Sequence, residues 1–231
     1  MSHPKLPTHQ MHRKIQPSRH ARWQIALVIL AAALLVGCGD PPPPELAEQP
    51  MGTLPAWAFT NERGRPIGTK ELAGEPYAVN FLFTSCPTSC PPLAQATAKL
   101  QAMMGEWRKT GGPRLVSISV DPASDTPEAL RTFARKYGAK ASLWTFARAD
   151  YATMEKLVVE GFYQPIVRKD RKPGTPVAAI ADTPTPVDTA HGIRFVLIDG
   201  MGRMRALYEK DDASLAKLDH ALRWLSEHPG K

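Results

Sequence analysis

A short apolar run, Tyr77–Phe83, leads through two residues into a pair of cysteines, Cys86 and Cys90, and this junction constrains the fold more than any other feature. The run is rich in residues that favour a buried β-strand. Apolar side chains then recur at helical spacing, at Leu93, Ala96, Leu100, Met103 and Trp107. A buried strand that passes directly into a helix is typical of α/β domains.

Strand and helix patterns continue to alternate after this junction. Arg114–Val120 is predicted to be a second strand, and a helix is expected to begin at Pro127 with Thr126 as its N-cap. The pattern at Tyr151–Glu160 is typical of a helix that ends at Gly161.

The second half of the chain begins with a long polar stretch, Phe162–Ala190, which contains five prolines. Loops of this length in compact domains are usually functional or mobile. A strand is predicted at Ile193–Ile198, and the turn at 199–202 (DGMG) joins it to Arg203–Tyr208 as a β-hairpin. A final amphipathic helix is indicated by Leu215, Leu218, Leu222 and Leu225.

The predicted order of elements is therefore β-α-β-α-α-β-β-α. The first β-α-β unit requires a crossover between parallel strands, whereas the hairpin is antiparallel. We therefore predict an α/β protein with a thioredoxin-like fold, in which helices flank a central mixed β-sheet. This architecture places reactive cysteines where the first long strand meets its helix.

The first 37 residues are typical of an export signal. They hold five basic and no acidic residues, and their apolar run, Ile25–Val36, is shorter than the roughly 20 residues that a membrane-spanning helix needs. The segment 35–38 (LVGC) resembles a bacterial lipobox, which implies cleavage before Cys38 and lipidation of its sulfur. The alternative is an uncleaved signal anchor that ends near Gly37. Both interpretations predict a domain held at a membrane on its extracytoplasmic side.

Four consecutive prolines at 41–44 favour an extended polyproline II spacer after this signal. We therefore divide the chain into an export signal at 1–37, a lipidated cysteine with a proline-rich tether at 38–50, and a thioredoxin-like domain at 51–231. Beyond the signal, the chain carries 24 basic and 22 acidic residues. This near balance argues against a nucleic-acid partner, because nucleic-acid binders keep their basic surface in the folded domain.

The two cysteines of the junction are separated by three residues at the predicted start of a helix. Because residues i and i+4 share a helix face, both sulfurs can point towards one position. Free amides at a helix N-terminus lower the pKa of thiols, and the thiolate is both the nucleophile and the soft-metal ligand. Cys86 and Cys90 are therefore predicted to bind a metal or to carry out redox chemistry, with a structural disulfide as the alternative.

A third ligand is predicted at His191, at the end of the long loop and just before the strand Ile193–Ile198. In a thioredoxin-like sheet, the start of that strand lies beside the cysteine loop. Two thiolates and one imidazole suit Cu(I), and the nitrogen donor also allows Cu(II). Structural zinc sites usually have four ligands, and the sequence offers no obvious fourth. We therefore expect one copper ion.

Three segments of the chain resemble the SCO/SenC family, the copper-binding thioredoxin-like proteins of cytochrome c oxidase assembly. They are 81–91 (FLFTSCPTSCP), 117–130 (SISVDPASDTPEAL) and 191–204 (HGIRFVLIDGMGRM). The resemblance implies that Cys86, Cys90 and His191 are copper ligands in a copper chaperone that assists metallation of the dinuclear copper centre of the oxidase. The partners it implies are the copper-centre subunit of the oxidase and other copper chaperones or thiol reductants.

The same cysteines allow a second function, that of an extracytoplasmic thiol–disulfide oxidoreductase acting on the oxidase or on other exported proteins. This alternative does not require His191. A peroxidase-like protein on the same fold is a third hypothesis, for which no motif supplies an activating base. Asp121 and Asp125 are expected to form a turn and cap the next helix, and their alternative role is to tune the copper site through its ligands.

Overall fold

The computed structural model describes residues 42–44, 46, 49–108, 111–164 and 194–230. They belong to one compact unit, Pro42–Lys231. The predicted ligand His191, the predicted lipidation site Cys38, the export signal and residues 165–190 of the long loop lie outside the described residues. No helix in the described ranges has both the length and the apolar character needed to cross a membrane.

A mixed β-sheet forms the centre of the domain. Its middle strands, β4 (Tyr77–Leu82), β5 (Arg114–Ser119) and β6 (Trp144–Arg148), are parallel neighbours. On the other side of β4, the strands β7 (Phe195–Ile198) and β8 (Arg203–Tyr208) form an antiparallel hairpin. The predicted parallel pair and the predicted hairpin are therefore both present, and the mixed sheet of the thioredoxin-like fold is confirmed.

Three short strands complete the sheet at its edges. They are β1 (Gly52–Thr53), which pairs with β8, and the hairpin of β2 (Ala58–Asn61) and β3 (Pro66–Gly68), which pairs with β6 through β2. The order across the eight strands of the described residues is β1-β8-β7-β4-β5-β6-β2-β3.

The predicted order of elements is wrong in lacking β6, the three edge strands and a four-residue helix, Thr69–Leu72, before β4. Strands of two to four residues are too short for an apolar periodicity to be visible. In β6 the polar Thr145 and the charged Arg148 interrupt the apolar pattern, although the strand is buried between β5 and β2. Contacts with neighbouring strands, rather than the local sequence, determine these elements.

The helix Thr69–Leu72 was not predicted, and the other helices lie close to the predicted positions. In the described residues the helices are α1 (Thr69–Leu72), α2 (Cys90–Trp107), α3 (Pro127–Lys136), α4 (Tyr151–Lys156) and α5 (Asp212–Glu227). The hydroxyl of Thr126 accepts a hydrogen bond from the amide of Ala129, which confirms the predicted cap. A single π-helical turn continues α4 to Gly161, where the predicted helix ends.

A chain of buried polar side chains ties α2 to the sheet. The Trp144 Nε1 donates to Ser117 Oγ at 2.9 Å, and that hydroxyl donates to Asn80 Oδ1 at 2.7 Å. The Asn80 amide donates in turn to Thr97 Oγ1 on α2 at 2.9 Å. Because unpaired buried polar groups are costly, this network favours a single position for the helix that begins at Cys90.

Candidate metal centre

The two cysteines lie where β4 passes into α2, beyond the carboxyl ends of the central parallel strands. Cys90 is the first residue of α2, and Cys86 is in the preceding turn. Both are free thiols and both are buried, at 7% and 3% exposure for Cys86 and Cys90. Within the described ranges, no three His, Cys, Asp or Glu side chains form a group that could hold a metal.

The sulfur of Cys86 is turned back onto the start of α2. It accepts a hydrogen bond from the backbone amide of Cys90 at 3.3 Å and lies 3.3 Å from the hydroxyl of Ser89. Burial acts to raise the pKa of this thiol, but the hydrogen bonds from Ser89, Cys90 and the Thr88 amide outweigh burial. The pKa of Cys86 is thereby lowered to about 7, so a large fraction of this thiol is ionised at neutral pH.

The second thiol behaves in the opposite way. The pKa of Cys90 is raised to about 12, mainly by burial; a hydrogen bond from the Phe83 backbone acts to lower it, and the neighbouring Cys86 acts to raise it. The expectation that the helix N-terminus lowers both thiol pKa values is therefore wrong for Cys90, because its sulfur is buried more deeply. A bound metal ion would have to displace the proton of this thiol.

The turn before Cys86 is held by a buried carboxylate from the neighbouring loop. Asp125 Oδ1 accepts from the amide of Thr84 at 2.9 Å and from its hydroxyl at 2.6 Å. Its Oδ2 accepts from Ser119 Oγ at 2.5 Å. The backbone amide of Asp125 also donates to the Asp121 carbonyl at 2.9 Å, which forms the expected turn. The expected capping role belongs instead to Thr126, the N-cap residue of α3.

Asp121 is also buried, at 5% exposure, but its carboxylate has no hydrogen-bond partner among the described residues. Its amide donates to Ser119 Oγ at 3.3 Å. Burial raises the pKa of Asp125 and the nearby charge of Asp121 raises it further, while the hydrogen bonds from Ser119 and Thr84 act to lower it. The two aspartates therefore lie close together beside the cysteine turn but have different contacts.

Three hydroxyl residues of this region were missed by the sequence interpretation: Thr84, Ser89 and Ser119. Thr84 and Ser89 stand within two residues of a cysteine, and Ser119 ends the strand β5 next to β4. The signal that could have identified them is this placement, since short hydroxyl side chains at strand ends and helix starts commonly bond to nearby backbone and polar groups.

Comparison with known proteins points to one protein family. The model of the SCO1/SenC family matches residues 47–226. The SCO1 protein homolog of Bacillus subtilis is 31% identical over 114 residues, which are 49% of this chain and 58% of that relative. The match to this curated relative thus spans less than two thirds of its length.

Solved structures are similar over a larger part of the chain. A SCO1/SenC family lipoprotein from Bacillus anthracis is 29% identical with a TM-score of 0.65, covering 78% of this chain and 98% of that one. ScoI from Bradyrhizobium japonicum, solved with copper bound, has a TM-score of 0.60 at 20% identity, covering 75% of this chain and 99% of that one. Since the family match covers nearly the whole described domain, the chain belongs to the SCO1/SenC family.

Proposed function

We propose that this protein is a copper chaperone that binds one copper ion through Cys86, Cys90 and His191 and assists metallation of the dinuclear copper centre of cytochrome c oxidase. The observation that carries the proposal is the pair of free thiols at the start of α2, with the Cys90 amide 3.3 Å from the Cys86 sulfur. The copper bound by ScoI of Bradyrhizobium japonicum supports the choice of metal.

The described part of the site fits a soft ion. Thiolates are preferred ligands of Cu(I), and Cys86, with its pKa of about 7, is readily available in this form. The course of β7 supports His191 as the third ligand. This strand runs antiparallel to β4, so the chain enters it at Phe195 from the end of the sheet where the cysteines lie.

A chaperone must release its cargo to a partner. The residues that flank Cys86, Ser85 and Pro87, are exposed although its sulfur is buried. A ligand from the acceptor can therefore approach the turn from solvent. With three protein ligands, the ion can gain a ligand from the acceptor before it loses one of its own, so copper need not pass through water as a free ion.

We further propose that the domain is tethered on the extracytoplasmic side of a membrane by lipid on Cys38. The lipobox-like segment supports this anchor, and the similar Bacillus anthracis protein is a lipoprotein. Mass spectrometry of membrane-extracted protein should show a mature chain that begins at a lipid-modified Cys38. A full-length chain that keeps residues 1–37 would instead indicate the uncleaved anchor.

Copper titration of the reduced protein tests the ligand set. We expect one copper per chain and a sulfur-to-copper charge-transfer band, both lost in Cys86→Ser and Cys90→Ser and weakened in His191→Ala. His220, which is exposed on α5, provides the matched control, and His220→Ala should bind copper as the unaltered protein does. Unchanged affinity and spectrum in His191→Ala would exclude this histidine as a ligand.

A second candidate, the thiol–disulfide oxidoreductase, is favoured by the unequal thiols. A thiol with a pKa of about 7 can attack a disulfide, and Cys90 can then resolve the mixed disulfide. In that step the target disulfide takes up two electrons and Cys86 and Cys90 become a disulfide, which cannot bind copper as thiolates. Rapid reduction of a peptide disulfide by the metal-free protein, retained in His191→Ala, would favour this function.

A further inference from the structure

The carboxylate of Asp125 connects two loops that are far apart in the sequence. Asp125 is fully buried, and it lies just before Thr126, the N-cap residue of α3. Thr84, which donates two hydrogen bonds to this carboxylate, is 41 positions earlier, in the turn between β4 and α2. Through Thr84, the side chain of Asp125 reaches a backbone that is two residues from Cys86.

The partners of this carboxylate are all neutral. Two are hydroxyl groups, on Thr84 and Ser119, and one is the Thr84 amide. No ion pair to Asp125 occurs in the part of the chain that the structure describes. An uncharged side chain of the same shape could therefore keep the contacts: an asparagine would accept both hydrogen bonds from Thr84 with its oxygen and donate to Ser119 with its amide.

Few other hydrogen bonds restrain the turn itself. The Cys86 amide donates to the Phe83 carbonyl at 3.3 Å, and the Cys86 sulfur accepts from the Cys90 amide at 3.3 Å. Both bonds lie within the turn and the start of α2, as does the 3.3 Å contact between the Cys86 sulfur and the Ser89 hydroxyl, whereas the two bonds from Thr84 to Asp125 reach a separate loop. Asp125 thus supplies the polar contact that fixes the beginning of this turn against β5 and the loop after it.

We propose that Asp125 is a positioning residue for the copper site, which sets the place of the Cys86 sulfur relative to Cys90 by holding Thr84. The expected effect of Asp125 on metal binding rests on the proposed copper function. The contact itself can be tested without metal. The role assigned to Asp125 depends on the shape and hydrogen bonds of its side chain and not on its charge.

The first test compares Asp125→Ala with Asp125→Asn in the reduced full chain. Cu(I) affinity is measured by competition with a chromophoric chelator, and hydrogen exchange of the Thr84 amide is measured without metal. Loss of residues that orient metal ligands typically lowers affinity by about 10–100-fold. We expect a loss in this range and faster Thr84 exchange for Asp125→Ala, and affinity within about threefold of the unaltered protein for Asp125→Asn.

A second pair of variants addresses the folding problem that loss of a buried carboxylate can cause. Thr84→Val removes one hydroxyl at nearly constant shape, and Thr84→Ser restores it. We expect weaker copper binding and a shifted charge-transfer band in Thr84→Val, and recovery of both in Thr84→Ser. Asp211→Ala is the matched control, because Asp211 makes the same pair of bonds with the Ser214 amide and hydroxyl, at 3.0 and 2.7 Å, on an exposed surface.

Two results would overturn the proposal. If Asp125→Asn impaired copper binding and Thr84 exchange as much as Asp125→Ala, the charge and not the contact would be responsible. If Thr84→Val kept the affinity, the spectrum and the exchange rate of the unaltered protein, the contact would not position the site. Failure of the unaltered protein to bind copper would contradict the proposed function instead, and exchange would still decide whether Asp125 holds the turn.

Discussion

Two buried aspartates hold turns at opposite ends of the sheet, and their partners differ in charge. Asp199 follows Ile198, which pairs with the first residue of β4, whereas Asp125 lies beyond the last residue of that strand. The Oδ2 of Asp199 contacts two guanidinium groups, those of Arg203 at 2.6 Å and Arg205 at 3.2 Å. Its Oδ1 accepts from two backbone amides of the hairpin turn, at 3.0 Å each.

The comparison distinguishes two kinds of partner that a buried carboxylate can have in a turn: charged groups and neutral donors. At the hairpin, paired charges fix a turn that contains no predicted site residue. Beside the thiols, neutral donors fix the turn, and no cation of the described residues pairs with the carboxylate. Substitutions at the hairpin should therefore change stability alone, while substitutions at the cysteine end should change metal binding.

The largest effect is expected from removal of a sulfur. Cys90→Ser takes away a ligand itself, so copper affinity should fall by more than the roughly 10–100-fold that loss of a supporting residue costs. Equilibrium dialysis with copper analysis measures this directly. If the Cys90→Ser protein still bound one copper ion tightly, metal binding could not be assigned to the cysteine end of the sheet.

A large effect on stability, without an effect on copper, is expected at the hairpin. Asp199→Ala leaves buried Arg205 without this partner, and breaking a buried ion pair typically costs about 3–5 kcal/mol. Urea denaturation should show this loss in the free energy of unfolding. Copper stoichiometry of the folded variant should be unchanged, and a parallel loss of copper affinity would show that the two ends are coupled.

The pH dependence of thiol reactivity should distinguish the two cysteines. Because the thiolate reacts and the pKa of Cys86 is about 7, alkylation of metal-free protein should accelerate about tenfold between pH 6 and pH 8. Cys90 has a pKa of about 12 and should remain slow over this range. Iodoacetamide labelling followed by peptide mass spectrometry measures both rates, and equal rates would contradict the assignment of Cys86 as the more reactive thiol.

The smallest effect is expected at an exposed ion pair near the open end of the hairpin. Arg194 and Glu209 are joined at 2.5 Å, but both side chains are about half exposed, at 55% and 51%. Exposed pairs typically contribute about 0–1 kcal/mol, so Glu209→Gln should unfold at nearly the same urea concentration as the unaltered protein. If Glu209→Gln lowered the free energy of unfolding as much as Asp199→Ala, burial would not explain why the two ion pairs contribute differently to stability.

Features of the molecule that arise from neighbouring residues were predicted well. The Thr126 cap, the start of α3 at Pro127 and the hairpin through the turn at 199–202 all depend on contacts within a few positions. The strand–cysteine–helix junction is likewise local, and it was sufficient to place Cys86 and Cys90 correctly in the fold.

The features that were missed depend on distant partners. β6 is fixed by pairing with β5 and β2, and the contact between Asp125 and Thr84 crosses 41 positions. The high pKa of Cys90 follows from burial, which its neighbours in the sequence do not reveal. The metal-ligand role of His191 stays a prediction, because this residue lies outside the described residues.

X-ray absorption at the copper edge of the reduced, copper-loaded protein tests the ligand set most directly. Two sulfur scatterers and one imidazole are expected, with the imidazole contribution lost in His191→Ala and kept in His220→Ala. A spectrum with nitrogen and oxygen scatterers alone, or one that is identical in His191→Ala, would contradict the assignment of Cys86, Cys90 and His191 as the copper ligands.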